Sequence, residues 1–250
     1  MPVVLVTKED YNQSMKDHQT QSDLNDSKQK FRQNRRFESR TPFVNHLVEP
    51  KFKQRTFETT NRHIDFLKRS KPKTMFLGDS MFEKFKTTGK NCWSKNQFNK
   101  KEIFNAGIGG DKLENILYRI EVMDLFKHID HLDNVIIFVG TNNLERDQPR
   151  NMIEALKKII NLTSQAFPSA KITVFGLLGY VSCETGDVNI IMRKTLEFNN
   201  LVSKLDGINY VCFRDKVCEN GVLNSGYFAD HAHLNEAGYE VFSTECALLF

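Results

Sequence analysis

Residues 74–80 read TMFLGDS, a short apolar run followed at once by Gly, Asp and Ser. An apolar run of this length bounded by turn residues is typical of a buried strand. Similar runs recur four more times along the chain. The sequence therefore predicts five strands, at residues 74–77, 102–105, 134–139, 171–177 and 208–213.

Segments of helical periodicity separate the predicted strands. Apolar residues recur at i, i+3, i+4 and i+7, the spacing of one buried helix face, in the set Leu113, Ile116, Leu117 and Ile120. Two further sets have helical spacing, namely Met152, Leu156, Ile159 and Ile160, and Tyr239, Phe242, Cys246 and Leu249. A helix is also predicted over residues 56–70, where Pro72 limits its extent. Apolar strands alternating with helices indicate a parallel sheet covered on both faces, so we predict one α/β domain over residues 56–250.

The positive charge is concentrated before the predicted sheet. Residues 1–73 carry 16 Lys and Arg against 9 Asp and Glu. Of the 35 Lys and Arg and 31 Asp and Glu in the whole chain, 19 basic and 22 acidic residues are left for residues 74–250. Residues 1–55 hold few large apolar side chains after Val6, so they cannot bury enough surface to offset the entropy lost on ordering. We expect a basic, disordered tail over residues 1–55. Contact of its cluster at 28–40 with RNA or an anionic membrane is the alternative.

Composition also limits the class of protein. No segment approaches the ~20 consecutive apolar residues of a membrane span, and the opening residues do not resemble a secretory signal. The five cysteines are scattered and form no C-x-x-C pair, which argues against a disulfide framework or a zinc site. We therefore expect a cytoplasmic protein in a reducing compartment.

Ligands of parallel α/β sheets bind at the carboxyl ends of the strands, so the loops after the strands are the places to seek a site. Ser80 directly follows the first strand, where a tight turn at Gly78 can raise its hydroxyl into a cleft. Amide groups at the start of a following helix would favour negative charge there. The alternative is that Asp79 and Ser80 only cap a helix.

The next two strand ends carry candidate hydrogen-bond donors. The second strand ends in a glycine-rich loop at 105–111, where a free amide at Gly110 would suit an oxyanion. A dinucleotide site is a competing interpretation, but the spacing is not G-x-G-x-x-G, and a simple tight turn is the other alternative. After the third strand, Asn142 offers a neutral carboxamide donor, although Gly and Asn also favour plain turns.

Asp230 and His233 precede the last predicted helix. Three residues apart on a short loop, they can face one cleft, with the carboxylate holding the imidazole tautomer. His231 lies between them and suggests a metal site as an alternative. Because no second group of ligands lies on a predicted strand-end loop, no metal site is predicted.

Four blocks in order resemble the SGNH, or GDSL, hydrolase family: FLGDSM at 76–81, FNAGIGGD at 104–111, FVGTNN at 138–143 and DHAHLN at 230–235. Within this family the chain is most similar to the catalytic α subunits of intracellular platelet-activating factor acetylhydrolases, through RHIDFLKRSKP at 62–72 and HLNEAGY at 233–239 as well. The resemblance covers residues 56–250.

The resemblance implies a flavodoxin-like three-layer sandwich with a five-stranded parallel sheet of order 2-1-3-4-5. It implies that Ser80 is the nucleophile and that His233 is the general base, oriented by Asp230. The oxyanion hole would consist of the amides of Ser80 and Gly110 and the side chain of Asn142. Members of the family need no metal or organic cofactor.

The resemblance also implies a serine esterase acting on a small acyl ester, acetyl above all, of a lipid or another small molecule. A homodimer and a β-propeller regulatory partner are further implications, and a nucleic-acid partner is not expected. The alternative is a catalytically silent binding module of the same fold that recruits RNA or a protein. Two segments depart from the acetylhydrolase pattern, at 179–184 and at 230–233, and leave the substrate open.

Overall fold

The computed structural model describes residues 45–95, 102–180, 188–219 and 222–250. Most of the predicted tail, residues 1–44, lies outside these ranges. From residue 45 onwards the chain forms one compact unit. It begins with a 3-10 turn, His46–Val48, whose Leu47 is buried, and the Asn45 side chain donates to the carbonyl of Asn151 at 2.9 Å.

Five parallel strands form the sheet in the order β2-β1-β3-β4-β5, as the family resemblance predicts. Each strand begins and ends within two residues of its prediction. The strands are β1 Thr74–Gly78, β2 Ile103–Asn105, β3 Asn134–Phe138, β4 Lys171–Phe175 and β5 Asn209–Val211. Because β1 lies between β2 and β3, the loops that follow these three strands share one edge of the sheet.

The helices alternate with the strands. They are α1 Gln54–Leu67, α2 Ser80–Glu83, α3 Lys90–Lys95, α4 Leu113–Leu117, α5 Pro149–Ala166, α6 Val188–Val202, α7 Arg214–Val217 and α8 Glu236–Ala247. The predicted apolar face of α4 is buried, and this helix continues as a π-helical turn, Tyr118–Val122, that periodicity did not predict. A small antiparallel pair, β6 Cys218–Glu219 and β7 Val222–Leu223, was also not predicted.

Helices cover both faces of the sheet and make the three layers. On one face α8 contributes Phe242, whose ring centroid lies 5.4 Å from that of Phe138 and 5.2 Å from that of Phe175. On the other face α1 packs Phe66 against Phe104 of β2, with ring centroids 5.7 Å apart. The apolar residues of the strands are therefore buried from both sides, as their near-continuous apolar sequence requires.

Within the described residues, no helix combines the length and the apolar content needed to cross a membrane.

Phe242 is fully buried among aromatic rings, including those of Phe82 and Phe213 at 5.6 and 4.9 Å. We expect Phe242→Ala to lower the free energy of unfolding by about 3–5 kcal/mol, because it removes the ring and leaves a cavity. Urea denaturation followed by far-UV circular dichroism measures the loss. Phe250→Ala is the control, since that side chain is 59% exposed and should cost little. Equal losses in the two variants would contradict the packing described.

Candidate active site

A close approach of two strands sets the position of Ser80. A Cβ on Gly78 would lie 2.1 Å from the carbonyl oxygen of Phe138 on β3, so a side chain at this position would collide with the neighbouring strand. The next residue, Asp79, caps α2 by accepting from the amide of Met81 at 3.0 Å. Ser80 is therefore the first residue of a helix at the carboxyl end of a central strand, as the sequence predicts.

His233 lies on a short loop with its own hydrogen bonds. The carbonyl of His233 accepts from the amide of Ala229 at 2.8 Å, beside an isolated bridge between Phe228 and Leu234. The following residue, Asn235, caps α8 by accepting from the amide of Gly238 at 3.0 Å. The loop is thus closed at its base and leads directly into a packed helix.

A hydrogen bond joins the helix that follows His233 to the helix that carries Ser80. The Tyr239 hydroxyl on α8 donates to the carbonyl of Met81 on α2 at 2.8 Å, and both residues are buried. This hydrogen bond links α8 directly to α2 beside the cleft.

Ser80, His233 and Asp230 form a continuous chain of polar contacts. The Oγ of Ser80 lies 3.1 Å from Nε2 of His233. On the other side of the imidazole, Nδ1 lies 2.8 Å from Oδ2 of Asp230 and 3.1 Å from Oδ1. This is the geometry in which a carboxylate holds the imidazole tautomer while the second ring nitrogen faces a hydroxyl.

The surroundings of Asp230 favour its ionised form. Burial raises the pKa of this carboxyl, but the amide of Ala232 and the side chain and amide of His233 donate hydrogen bonds that outweigh burial and bring the pKa to about 2. The amide donors lie 2.9 and 2.7 Å from Oδ1. Asp230 therefore carries a full negative charge next to the imidazole at neutral pH.

Two of the three predicted oxyanion donors, Ser80 and Asn142, lie in the same cleft as His233. The Asn142 side chain lines the same cleft as Ser80, and its Nδ2 donates one hydrogen bond to the carbonyl of Asp111 at 2.9 Å. Gly110 precedes Asp111 with a φ of 75° and is not among the residues that line the cleft. Within the described chain, the amides of Ser80 and Gly110 have no acceptor. The structure thus places Ser80, His233, Asp230 and Asn142 together, with Gly110 one residue from the group that holds Asn142.

The cleft at Ser80 has a volume of about 260 Å³. Sequence reasoning gave no cleft-lining role to Glu145 and Tyr180, whose side chains are joined by a hydrogen bond of 2.8 Å. Neither residue lies in a recognisable motif, although Tyr180 belongs to the segment 179–184 that departs from the acetylhydrolase pattern. The full lining is Ser80, Met81, Thr141, Asn142, Glu145, Tyr180, His231, Ala232 and His233.

His231, considered above as a metal ligand, lies on the wall of this cleft. Its ring centroid is 6.3 Å from that of Tyr180. In the part of the chain that the structure describes, no three His, Cys, Asp or Glu side chains come together in a group able to hold a metal ion.

A buried polar network lies behind the glycine-rich loop. The carboxylate of Asp111 accepts from the Thr56 hydroxyl at 2.5 Å, and its other oxygen lies 3.5 Å from Nη1 of Arg119. Burial raises the pKa of Asp111, against the opposing effect of Arg119. Burial also lowers the pKa of Arg119 to about 10, so this side chain stays cationic at neutral pH. The signal for this role in the sequence was weak, because an Arg in an amphipathic helix is normally solvent-facing.

Residues 76–241 match the model of the GDSL-like lipase/acylhydrolase family. The chain belongs to that family. It is 28% identical over 184 residues to the platelet-activating factor acetylhydrolase IB subunit alpha1 of Rattus norvegicus, which covers 72% of this chain and 75% of the relative. It is 30% identical over 187 residues to the alpha2 subunit of Homo sapiens, with 72% and 76% covered. Membership of this family supports a hydrolase that acts on esters.

Solved structures share the fold of this GDSL-family chain. A protein from Streptococcus pneumonia that is described as a platelet activating factor superposes on this chain with a TM-score of 0.65 at 22% identity. The superposition covers 78% of this chain and 92% of the other. A carbohydrate acetylesterase from Sinorhizobium meliloti gives a TM-score of 0.54 at 16% identity, with 72% and 100% covered. At these identities the likeness concerns the fold alone.

Asp79 differs from Asp230 in being fully buried, and one of its oxygens has no hydrogen-bond partner within the described residues. Burial raises its pKa to about 7, and the nearby charge of Asp111 adds to this effect. The folded protein therefore keeps this proton up to about pH 7, whereas the unfolded chain loses it near the ordinary carboxyl pKa of 3.8. The contribution of Asp79 to stability is consequently greatest at low pH and declines as the pH rises from about 4 to about 7.

Asp79→Asn should remove this pH dependence while keeping an oxygen for the Met81 amide. At about 1.4 kcal/mol per pKa unit, we expect the variant to gain on the order of 2 kcal/mol more over the wild type at pH 8 than at pH 5. Urea unfolding at the two pH values measures this difference. Asp206→Asn, at an exposed position, is the matched control. A gain that is the same at both pH values would show that Asp79 does not titrate in this way.

Proposed function

We propose that this GDSL-family chain is a serine esterase that hydrolyses a small acyl ester, with Ser80 as nucleophile, His233 as general base and Asp230 as the group that orients it. The observation that carries the proposal is the continuous Asp230–His233–Ser80 contact chain within one cleft. The mechanism uses no metal or cofactor. A cytoplasmic location stays a prediction from the composition, and a homodimer and a β-propeller partner stay predictions drawn from the resemblance.

The reaction would proceed in two steps. His233 takes the proton of Ser80 as Oγ attacks the ester carbonyl, and the protonated imidazole then gives that proton to the leaving alcohol. Water repeats the sequence on the acyl-enzyme and releases the acid. The ionised carboxylate of Asp230 stabilises the imidazolium in both steps, which its pKa of about 2 permits at neutral pH.

Negative charge develops on the carbonyl oxygen in each step. The amides of Ser80 and Gly110 and the Asn142 side chain would stabilise this oxyanion. One N–H of the Asn142 carboxamide is occupied by the Asp111 carbonyl, which orients the amide group and leaves its second N–H for the substrate. Donors held in place before the reaction need no reorganisation as the charge appears.

The size of the cleft supports a small acyl group, above all acetyl. A volume of about 260 Å³ is below the ~300–1,000 Å³ of sites for drug-sized ligands. The wall is mostly apolar, and Glu145, Tyr180 and His231 add polar groups to it. The curated relatives are named acetylhydrolases, which agrees with this size.

Ser80→Ala should abolish hydrolysis of p-nitrophenyl acetate and labelling by a fluorophosphonate probe, because the attacking oxygen is gone. Both are measured on purified protein, with thermal unfolding to show that the variant is folded. Ser203→Ala is the control, since Ser203 is exposed and its hydroxyl donates to the nearby carbonyl of Asn200 at 3.1 Å. A Ser80→Ala variant with wild-type turnover would rule out the mechanism. A folded wild type that is neither labelled nor active would favour the alternative, a catalytically silent binding module.

Asn142→Ala should lower kcat by about 10²–10³, the effect of losing one oxyanion donor, with a smaller change in KM. Steady-state kinetics with p-nitrophenyl acetate measures both constants. Asn200→Ala, at an exposed position of α6, is the matched control and should retain wild-type kcat. A kcat within twofold of wild type in the Asn142 variant would remove this side chain from the oxyanion hole.

A further inference from the structure

We propose that Asp111 is a positioning residue for the oxyanion hole, and that Thr56 and Arg119 hold it in place from outside the cleft. The inference rests on the proposed esterase function, because it assigns the support of the groups that would stabilise the oxyanion. Neither Thr56 nor Arg119 lines the cleft, and neither belongs to the four sequence blocks.

The backbone of Asp111 contacts one of the proposed donors and closes the turn that contains another. Its carbonyl accepts from Nδ2 of Asn142 at 2.9 Å and so sets the orientation of that carboxamide. Its amide donates to the carbonyl of Ile108 at 3.1 Å and closes the turn that contains Gly110. A shift of the Asp111 backbone would therefore move the Gly110 amide and release the Asn142 side chain together.

The side chain of Asp111 anchors this backbone in the interior. Thr56 of α1 donates to one carboxylate oxygen at 2.5 Å, and Nη1 of Arg119 lies 3.5 Å from the other. Nη2 of Arg119 donates to the carbonyl of Ala106 at 2.8 Å. Arg119 and Asp111 are both fully buried. One guanidinium thus contacts both ends of the loop from residue 106 to residue 111.

The loop needs such an anchor because of its composition. Gly107, Gly109 and Gly110 lie within four residues, and glycine has more backbone freedom to lose than any other residue. A buried carboxylate cannot move away from its polar partners at low cost, because the groups left behind in the interior would lose their contacts. The ion pair and the Thr56 hydroxyl therefore restrict a segment that its own sequence leaves free.

A second cation contacts the same loop from the segment before α1. Nζ of Lys53 donates to the carbonyl of Gly109 at 3.3 Å and lies 3.7 Å from the Asp111 carboxylate. Lys53 and Thr56 both precede residues 76–241, the range that matches the family model. The loop from residue 106 to residue 111 is therefore contacted by a part of the chain that precedes the matched range of residues.

Thr56→Val tests the anchor with little change in shape. Misplacement of catalytic groups by about 1 Å can cost about 10²-fold in rate, so loss of one anchor contact should lower kcat for p-nitrophenyl acetate by about tenfold with little change in KM. Thr56→Ser keeps the hydroxyl and should restore most of the rate. Thr60→Val, one turn further along α1, is the matched control, because the Thr60 hydroxyl is buried and has no partner within the described residues. It should keep wild-type kcat.

A double-mutant cycle separates positioning from general loss of structure. If Thr56 acts through the oxyanion donors, Thr56→Val should lower kcat less than threefold once Asn142→Ala has removed one of them, while it lowers the melting temperature equally in both backgrounds. If Thr56→Val is not obtained as folded protein, Asp111→Asn, which has nearly the same shape, takes its place in the cycle.

Each outcome bears on one of two claims. Equal losses of kcat in the two backgrounds would overturn the positioning of Asn142 by Asp111, and a Thr60→Val variant as impaired as Thr56→Val would overturn the anchoring role of Thr56. Either outcome leaves the esterase intact. A wild-type protein without Ser80-dependent hydrolysis would overturn both the esterase and the inference built on it.

Discussion

The backbone contact at Gly78 brings three loops together, and the candidate site depends on it. The Cα of Gly78 faces the Phe138 carbonyl of β3 so closely that a Cβ would overlap it. The carbonyl of Gly78 accepts from the amide of Ile108 at 3.0 Å, which attaches the loop after β2 to the end of β1. The amide of Asp79 donates to the carbonyl of Phe138 at 3.3 Å, which attaches the end of β3 to the end of β1. A larger residue at 78 would separate the strands, and with them the proposed nucleophile from the proposed oxyanion donors.

Environment gives different roles to two carboxyl groups near Ser80. Asp79 directly precedes the nucleophile but is buried, and its pKa of about 7 reflects the cost of a charge in that position. Asp230 is farther along the chain, is partly exposed, and accepts two amide hydrogen bonds besides the imidazole, which brings its pKa to about 2. The ionised group therefore stands behind the imidazole, and a group that is partly protonated near pH 7 caps the helix of the proposed nucleophile. If Asp79, the carboxyl group next to Ser80, were the fully ionised one, its charge would repel the proposed oxyanion.

The sequence predicted the strands well because each is a short, buried apolar run, and burial on both faces leaves little room for polar residues. Periodicity alone did not order these strands, and the order came from the family resemblance. Ser80, Asn142 and the Asp230–His233 pair were predicted as site residues because each occupies a loop after a strand or before a helix. Glu145 and Tyr180 were not assigned to the cleft, since their contact joins residues 35 apart in the chain and leaves no local pattern. Arg119 was missed because a charged residue on a helix usually faces solvent, whereas here it is fully buried.

The residues proposed to perform chemistry are easier to recognise in the sequence than the residues that hold them in place. The four blocks place a hydroxyl, amide donors, a carboxamide and an imidazole at strand ends, and each block is short enough to be recognised. Their geometry depends on contacts from α1 and from the helix that carries Arg119, which follow no motif. Because the glycine-rich loop has little rigidity of its own, we propose that the carboxylate of Asp111 and its buried partners set the position of its amides. Chains that share the blocks but differ in these partners would keep the same reacting atoms and differ in how firmly the oxyanion donors are held.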